Sequence, residues 1–324
     1  MNTSFSYQDD VLFPFRAPSY LFNGHIETLY AALCLSRPHI HYQRERWDTP
    51  DGDFIDIDFV RGKPNQPLVV LFHGLEGSSN SHYARAFMHA LTECGWQGAI
   101  PHFRSCSGEI NRAPRFYHSG DATEIEWLLQ RLRTQTKTLY VIGFSLGGNA
   151  LLRYLGEAQH SADFINAACS VSAPLDLAQS GNALLKGFNQ VYTRHFLKTL
   201  KLKCIEKLKQ YPHLFHQEKM LRSRNLYEFD NIVTAPLHGY QNTEDYWERA
   251  SAKNVLNDIT VPTLILNAQN DPFLPGFHLP QKASSHVTLA YPKQGGHVGF
   301  VSHHTPTQLS WLPKNVIQFF KAPY

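Results

Sequence analysis

The chain has 324 residues, 43% of them hydrophobic, which is ample for a sizeable core in one large α/β domain or two small ones. A net charge of +3 and a pI near 8.5 are too mild to imply a nucleic-acid partner without a concentrated basic face. No stretch approaches the ~20 apolar residues of a membrane span, and five scattered cysteines without a Cys-x-x-Cys pair read as free thiols of a reducing compartment, so a soluble cytoplasmic protein is expected.

Residues 1–38 are aromatic and proline-containing, without a strand period, and are expected to pack as a lead-in on the domain that follows. Strands are predicted over 41–47 and 54–60, joined through the Asp51-Gly52 turn as a hairpin. The continuous apolar run 68–72 suits a parallel strand buried on both faces. A helix over 79–94, a strand over 96–102 and a helix over 120–133 follow, the last with Ser119 as its expected cap. Strands are then predicted over 140–144 and 164–172, separated by the helical sequence 149–154. The pattern closes with strands over 263–267 and 286–291 and a helix over 307–320. This alternation predicts a mostly parallel eight-stranded sheet with helices on both faces, joined by right-handed crossovers.

The strand rhythm stops between residues 173 and 258, and 184–209 carries apolar residues at helical spacing among many lysines and arginines. An interruption of roughly eighty residues is too long for a structureless loop. The expected organisation is therefore a core of 39–175 and 259–324 with a helical cap inserted over 176–258. The basic run 198–209 reads as the solvated face of a cap helix, with peripheral contact to an anionic membrane surface as the other use of such a face.

Ser145 stands in Gly143-Phe-Ser-Leu-Gly147, at the turn from a β-forming run into a helix. In a Gly-x-Ser-x-Gly elbow the glycines are needed where side chains would collide, and the turn lifts the hydroxyl above the sheet edge. An alcohol needs a base before it is nucleophilic at neutral pH. Of eighteen histidines, His297 in Gly295-Gly-His297 fits best, after the last strand and before the last helix. Asp271, in Asn270-Asp-Pro272 after the penultimate strand, would orient it, with Asp176 after strand six as the rival acid. Nucleophile, acid and base then follow in the order Ser, Asp, His of an α/β-hydrolase.

The backbone N–H groups of Leu146 and Leu75 are the expected oxyanion donors. His73 is read as a brace for the Leu75 loop, His25 as a structural hydrogen-bonder and Cys106 as an inert buried thiol. Histidine spacings match no zinc set, so neither metal nor cofactor is expected.

Several motifs together resemble the AB hydrolase 4 family of α/β-hydrolases over nearly the whole chain. They are Asn23-Gly-His25 with Thr28, His73-Gly-Leu-Glu-Gly77, Arg104-Ser-Cys-Ser-Gly108, Gly143-Phe-Ser-Leu-Gly-Gly-Asn149, Phe229-Asp230 with Gly239-Tyr240, Asn270-Asp-Pro272 and Gly296-His297. The resemblance implies a triad of Ser145, Asp271 and His297 and hydrolysis of carboxylic esters, acylglycerols or short-chain esters among them. Some eukaryotic members carry an N-terminal membrane anchor with no counterpart here, which directs the expectation toward dispersed, small-molecule esters.

The leading expectation is thus a serine esterase for short to medium acyl groups, with Phe188, Val191 and Phe196 of the cap walling the acyl pocket. An acyltransferase of the same fold and a non-catalytic binding module are the alternatives. Oligomeric state is not legible from these residues.

Overall fold

The computed structural model describes residues 12–323, so the first eleven residues of the expected lead-in lie outside the described residues. Eight strands form a sheet: β1 (Gln43–Asp48), β2 (Phe54–Val60), β3 (Leu68–Phe72), β4 (Gln97–Pro101), β5 (Leu139–Phe144), β6 (Ala167–Val171), β7 (Thr263–Leu266) and β8 (Val287–Ala290). Their spatial order is β1-β2-β4-β3-β5-β6-β7-β8. The β1–β2 and β2–β4 pairs are antiparallel, and every other neighbouring pair is parallel.

The period of two along β3 divides its side chains between two cores. Leu68, Val70 and Phe72 face one, while Val69 and Leu71 face the other. Helices α1 (Gly24–Leu33), α2 (His82–Cys94), α3 (Ala122–Leu132) and α4 (Leu146–Ala158) cover these faces. α3 and α4 pack on the first side through Ile125, Leu128, Leu151 and Leu155. α1 and α2 lie on the second. α2 stops where Gly95 adopts φ +72° and its amide turns back to the Thr92 carbonyl at 3.0 Å, a left-handed cap that glycine accepts without strain.

Between β6 and β7 the chain is helical: α5 (Leu177–Leu184), α6 (Asn189–Gln210), α7 (Gln217–Arg222), α8 (Leu226–Phe229), α9 (Ala235–Leu237) and α10 (Thr243–Ala250). A π-helical turn over Asp230–Thr234 joins α8 to α9. Leu197, Cys204, Met220, Phe229 and Val233 form a small core among these helices. After β8, α11 (Trp311–Lys321) returns to the second face.

The helix starts differ from the sequence expectation in two places. Ser119 does not cap α3, which begins three residues later behind Asp121. The Ser119 amide instead donates to Tyr246 Oη at 3.0 Å and its carbonyl accepts from Asn149 Nδ2 at 2.9 Å. Residues 307–310 remain outside α11, because Thr305 and Gln308 close turns onto Ser302 and Thr305.

The basic run on α6 is not simply a solvated face. Lys203 Nζ bonds Glu76 Oε1 at 2.7 Å, and Lys207 is fully buried, donating to the Asn111 and Ala113 carbonyls. Both stems cross onto the α/β core. No helix among the described residues is long and apolar enough to cross a membrane.

Candidate active site

The turn between β5 and α4 holds Ser145 at φ +50° and ψ −119°, a conformation suited to glycine and costly for other residues. A Cβ on Gly143 would lie 2.5 Å from the Gly147 carbonyl oxygen, and one on Gly147 would lie 2.5 Å from that of His73. Only glycine lets strand, helix and the β3 loop approach so closely. The Ser145 amide is fixed by the Val171 carbonyl at 2.9 Å, which leaves the hydroxyl at the cavity wall.

Two loops at the strand ends bring the predicted base and acid to it. His297 Nε2 lies 2.9 Å from Ser145 Oγ, and His297 Nδ1 lies 2.9 Å from Asp271 Oδ2. A carboxylate only accepts, so Nδ1–H donates to Asp271 and Nε2 is left to accept the serine hydroxyl. Asp271 is buried, and its other oxygen accepts the Phe273 amide at 2.8 Å. The Phe273 ring stacks on the imidazole with centroids 4.0 Å apart, which limits rotation of the base.

Leu146 is the first residue of α4, and Leu75 follows Gly74 on the loop after β3. Both line the same cavity as Ser145, and neither backbone N–H has a hydrogen-bond partner among the described residues. A Cβ on Gly74 would lie 3.1 Å from the Ser145 Cβ, so the two donors flank the hydroxyl. His73 spans the loops: its Nδ1–H donates to the Gly74 carbonyl at 2.8 Å, and its Nε2 accepts the Phe103 amide at 3.0 Å. Burial, with His102 nearby, pushes this imidazole down to about 3, so it stays neutral.

The other sequence candidates lie elsewhere. Asp176 caps α5 through the Gln179 amide at 3.1 Å and pairs with Lys253 at 2.8 Å. His25 faces Tyr192, with Nδ1 3.3 Å from its hydroxyl. Burial pushes the Cys106 thiol up to about 11, away from thiolate chemistry.

The cavity encloses about 120 Å³ between the core and the helices that follow β6, with Leu146, Leu177, Phe196, Leu200, Val233 and Phe273 giving it an apolar wall. Of the three expected cap residues only Phe196 belongs to that wall. Phe188 and Val191 are 48% and 46% exposed, because the turn of α6 carries them away from the cavity.

The sequence also left unassigned a polar edge formed by Glu76, Tyr117 and Lys203. Tyr117 Oη donates to Glu76 Oε1 at 2.9 Å beside the Lys203 contact. The Glu in His73-Gly-Leu-Glu-Gly77 was the available signal; its lysine partner is distant in sequence.

Sheet order, elbow and loop positions define an α/β-hydrolase. The chain belongs to the alpha/beta hydrolase fold family, whose profile matches residues 67–303. It is 36% identical over 303 residues to YheT of Escherichia coli (strain K12), an esterase by name, covering 91% of this chain and 89% of that protein. Over 292 residues it is 28% identical to the monoacylglycerol lipase of Saccharomyces cerevisiae, covering 86% of this chain and 63% of that one. Phospholipase ABHD3 of Mus musculus is 26% identical, with 91% and 75% covered. Among solved structures, the esterase EaEST from Exiguobacterium antarcticum aligns with a TM-score of 0.56 at 18% identity, over 86% of this chain and 100% of that one, a likeness of fold. The chain is therefore an α/β-hydrolase of the esterase and lipase type.

Proposed function

We propose that the chain is a serine carboxylesterase acting through an acyl-enzyme. The observation that carries this reading is the unbroken line of two 2.9 Å contacts from Asp271 through His297 to Ser145 Oγ, opening on an apolar cavity. His297 Nε2 takes the hydroxyl proton as Ser145 Oγ bonds the ester carbonyl carbon, and the carbonyl oxygen becomes an oxyanion facing the Leu75 and Leu146 amides. Collapse breaks the bond to the alcohol oxygen, which leaves with the proton from His297. Water then repeats the sequence on the acyl-enzyme, releasing the acid and restoring the serine.

The small apolar cavity favours short to medium acyl groups, acylglycerols among them. Each buried methylene contributes about 0.8 kcal/mol until the volume is full, after which overpacking reverses the trend. The test is fluorophosphonate labelling together with specificity constants on p-nitrophenyl esters from acetate to palmitate. Labelling of the wild type that Ser145→Ala abolishes, with an optimum at short or medium chains, is expected. Equal labelling of the two proteins would refute the nucleophile. A monotonic rise to palmitate would refute the closed pocket, and dominant transfer to added ethanol would reassign the second step to an acyltransferase.

A further inference from the structure

The family match begins at residue 67, yet the loop carrying His297 is anchored from well upstream of it. Three successive amides of that loop have side-chain acceptors. Gly295 N–H donates to Glu27 Oε2 at 2.7 Å, Gly296 N–H to Asn270 Oδ1 at 3.0 Å and His297 N–H to Thr28 Oγ1 at 2.8 Å. Two of the three acceptors belong to α1. Glu27 Oε2 also accepts from Asn270 Nδ2 at 2.8 Å, so one carboxylate oxygen joins the loop bearing Asp271 to the loop bearing His297. Thr28 Oγ1 in turn donates to the Gly24 carbonyl at 2.6 Å, which fixes its lone pairs toward the His297 amide.

The fit leaves no room for a slack contact. A Cβ on Gly24 would lie 1.9 Å from the Asn270 carbonyl oxygen, and one on Gly296 would lie 2.7 Å from the Gly24 carbonyl oxygen. Glu27 and Thr28 are both buried. The loop they hold is also one that would relax if released, because Val298 and Phe300 sit at φ +56° and +31°, where side chains other than glycine are strained.

We propose that Glu27 and Thr28 are positioning residues of the active site, clamping the backbone of His297 so that its imidazole stays in line between Asp271 and Ser145. This rests on the esterase reading above. Neither residue touches the reacting atoms. Their effect passes through the main chain of the base, where a displacement of about 1 Å typically costs on the order of 10²-fold in rate.

Thr28→Val is the discriminating change, since it keeps the shape and removes both the acceptor for His297 N–H and the donor to Gly24. With p-nitrophenyl butyrate, kcat is expected to fall by about 10- to 100-fold while KM stays close to that of the wild type. The rate of fluorophosphonate labelling should fall in parallel, and Thr28→Ser, which keeps the hydroxyl, should restore both. Should the valine variant not fold, Thr28→Ala is measured against Thr28→Ser in the same way. Unchanged kcat in the folded variant lacking the hydroxyl, or a serine variant as impaired as it is, would overturn the clamp. Failure of the wild type itself to be labelled would overturn the esterase reading instead.

Discussion

The backbone at Ser145 makes a stability prediction independent of any substrate. At φ +50° and ψ −119° a residue with a Cβ carries strain of order 1–3 kcal/mol, which glycine would not. Ser145→Ala and Ser145→Gly both delete the hydroxyl, and they differ only in that Cβ. Glycine's freedom in the unfolded chain works against it by about 0.5–1 kcal/mol. Packing adds little to the balance, because Ser145 is half-buried at the cavity wall. The net expectation is that Ser145→Gly is more stable than Ser145→Ala by about 0.5–2 kcal/mol. For a chain of this length that corresponds to a Tm about 1–3 °C higher. Calorimetric melts of the two variants, side by side, read the difference. Ala90→Gly inside α2 is the control, where the same loss of a methyl in an ordinary helical backbone should cost about 1 kcal/mol. If Ser145→Gly melts at or below Ser145→Ala, the elbow is not storing strain and the reasoning fails.

Asp271→Asn should lower kcat by about four orders of magnitude, since the imidazole loses the acceptor that sets its tautomer. Asp176→Asn should leave kcat near wild type and instead lower stability by about 1 kcal/mol through the α5 cap, so the reverse ranking in a kcat comparison would exchange their roles. A pH effect follows from His118, which is buried against His238 and Tyr246. Burial pushes its imidazole down to about 3, so the folded state keeps it neutral while the unfolded chain takes up a proton below ~6.5. Its contribution is complete above that pH and is lost by about 1.4 kcal/mol per pH unit on the way down to the folded value. In urea titrations at pH 7, 6 and 5, the stability of the wild type relative to His118→Asn should shrink with that slope, and parallel curves would refute it.

What the sequence made legible was what is local. Gly143 and Gly147 crowd one hydroxyl within five residues, and the steric need they serve is written in the spacing itself. The apolar runs of β3 and β5 mark central strands for the same reason, because burial on both faces leaves no place for polar side chains. Legibility ended where a residue's role depends on a partner far along the chain. Glu27 and Thr28 meet the His297 loop across 268 and 269 positions, and nothing around residue 27 announces that contact. On α6, helical spacing separated apolar from polar residues but could not say which of Phe188, Val191 and Phe196 would face a cavity made by other segments.

The inward lysines of α6 bear on whether the cap is a lid. Lys203 reaches Glu76, the residue after Leu75, and Glu76 N–H is held by Tyr117 Oη at 2.8 Å. Swinging α6 away would therefore release the side chain next to a proposed oxyanion donor as well as widen the cavity. Lys207 would also leave the Asn111 and Ala113 carbonyls. Water would hydrate all of these groups in an open state, so the electrostatic cost is modest, of the size of exposed ion pairs at about 0–1 kcal/mol each. The larger consequence is kinetic. An open cap leaves the Leu75 loop less fixed, and electrostatic stabilisation of an oxyanion depends on donors that do not have to reorganise during reaction. A cap that stays docked while short esters enter keeps that loop in place, and the same geometry that limits acyl length then serves the chemistry.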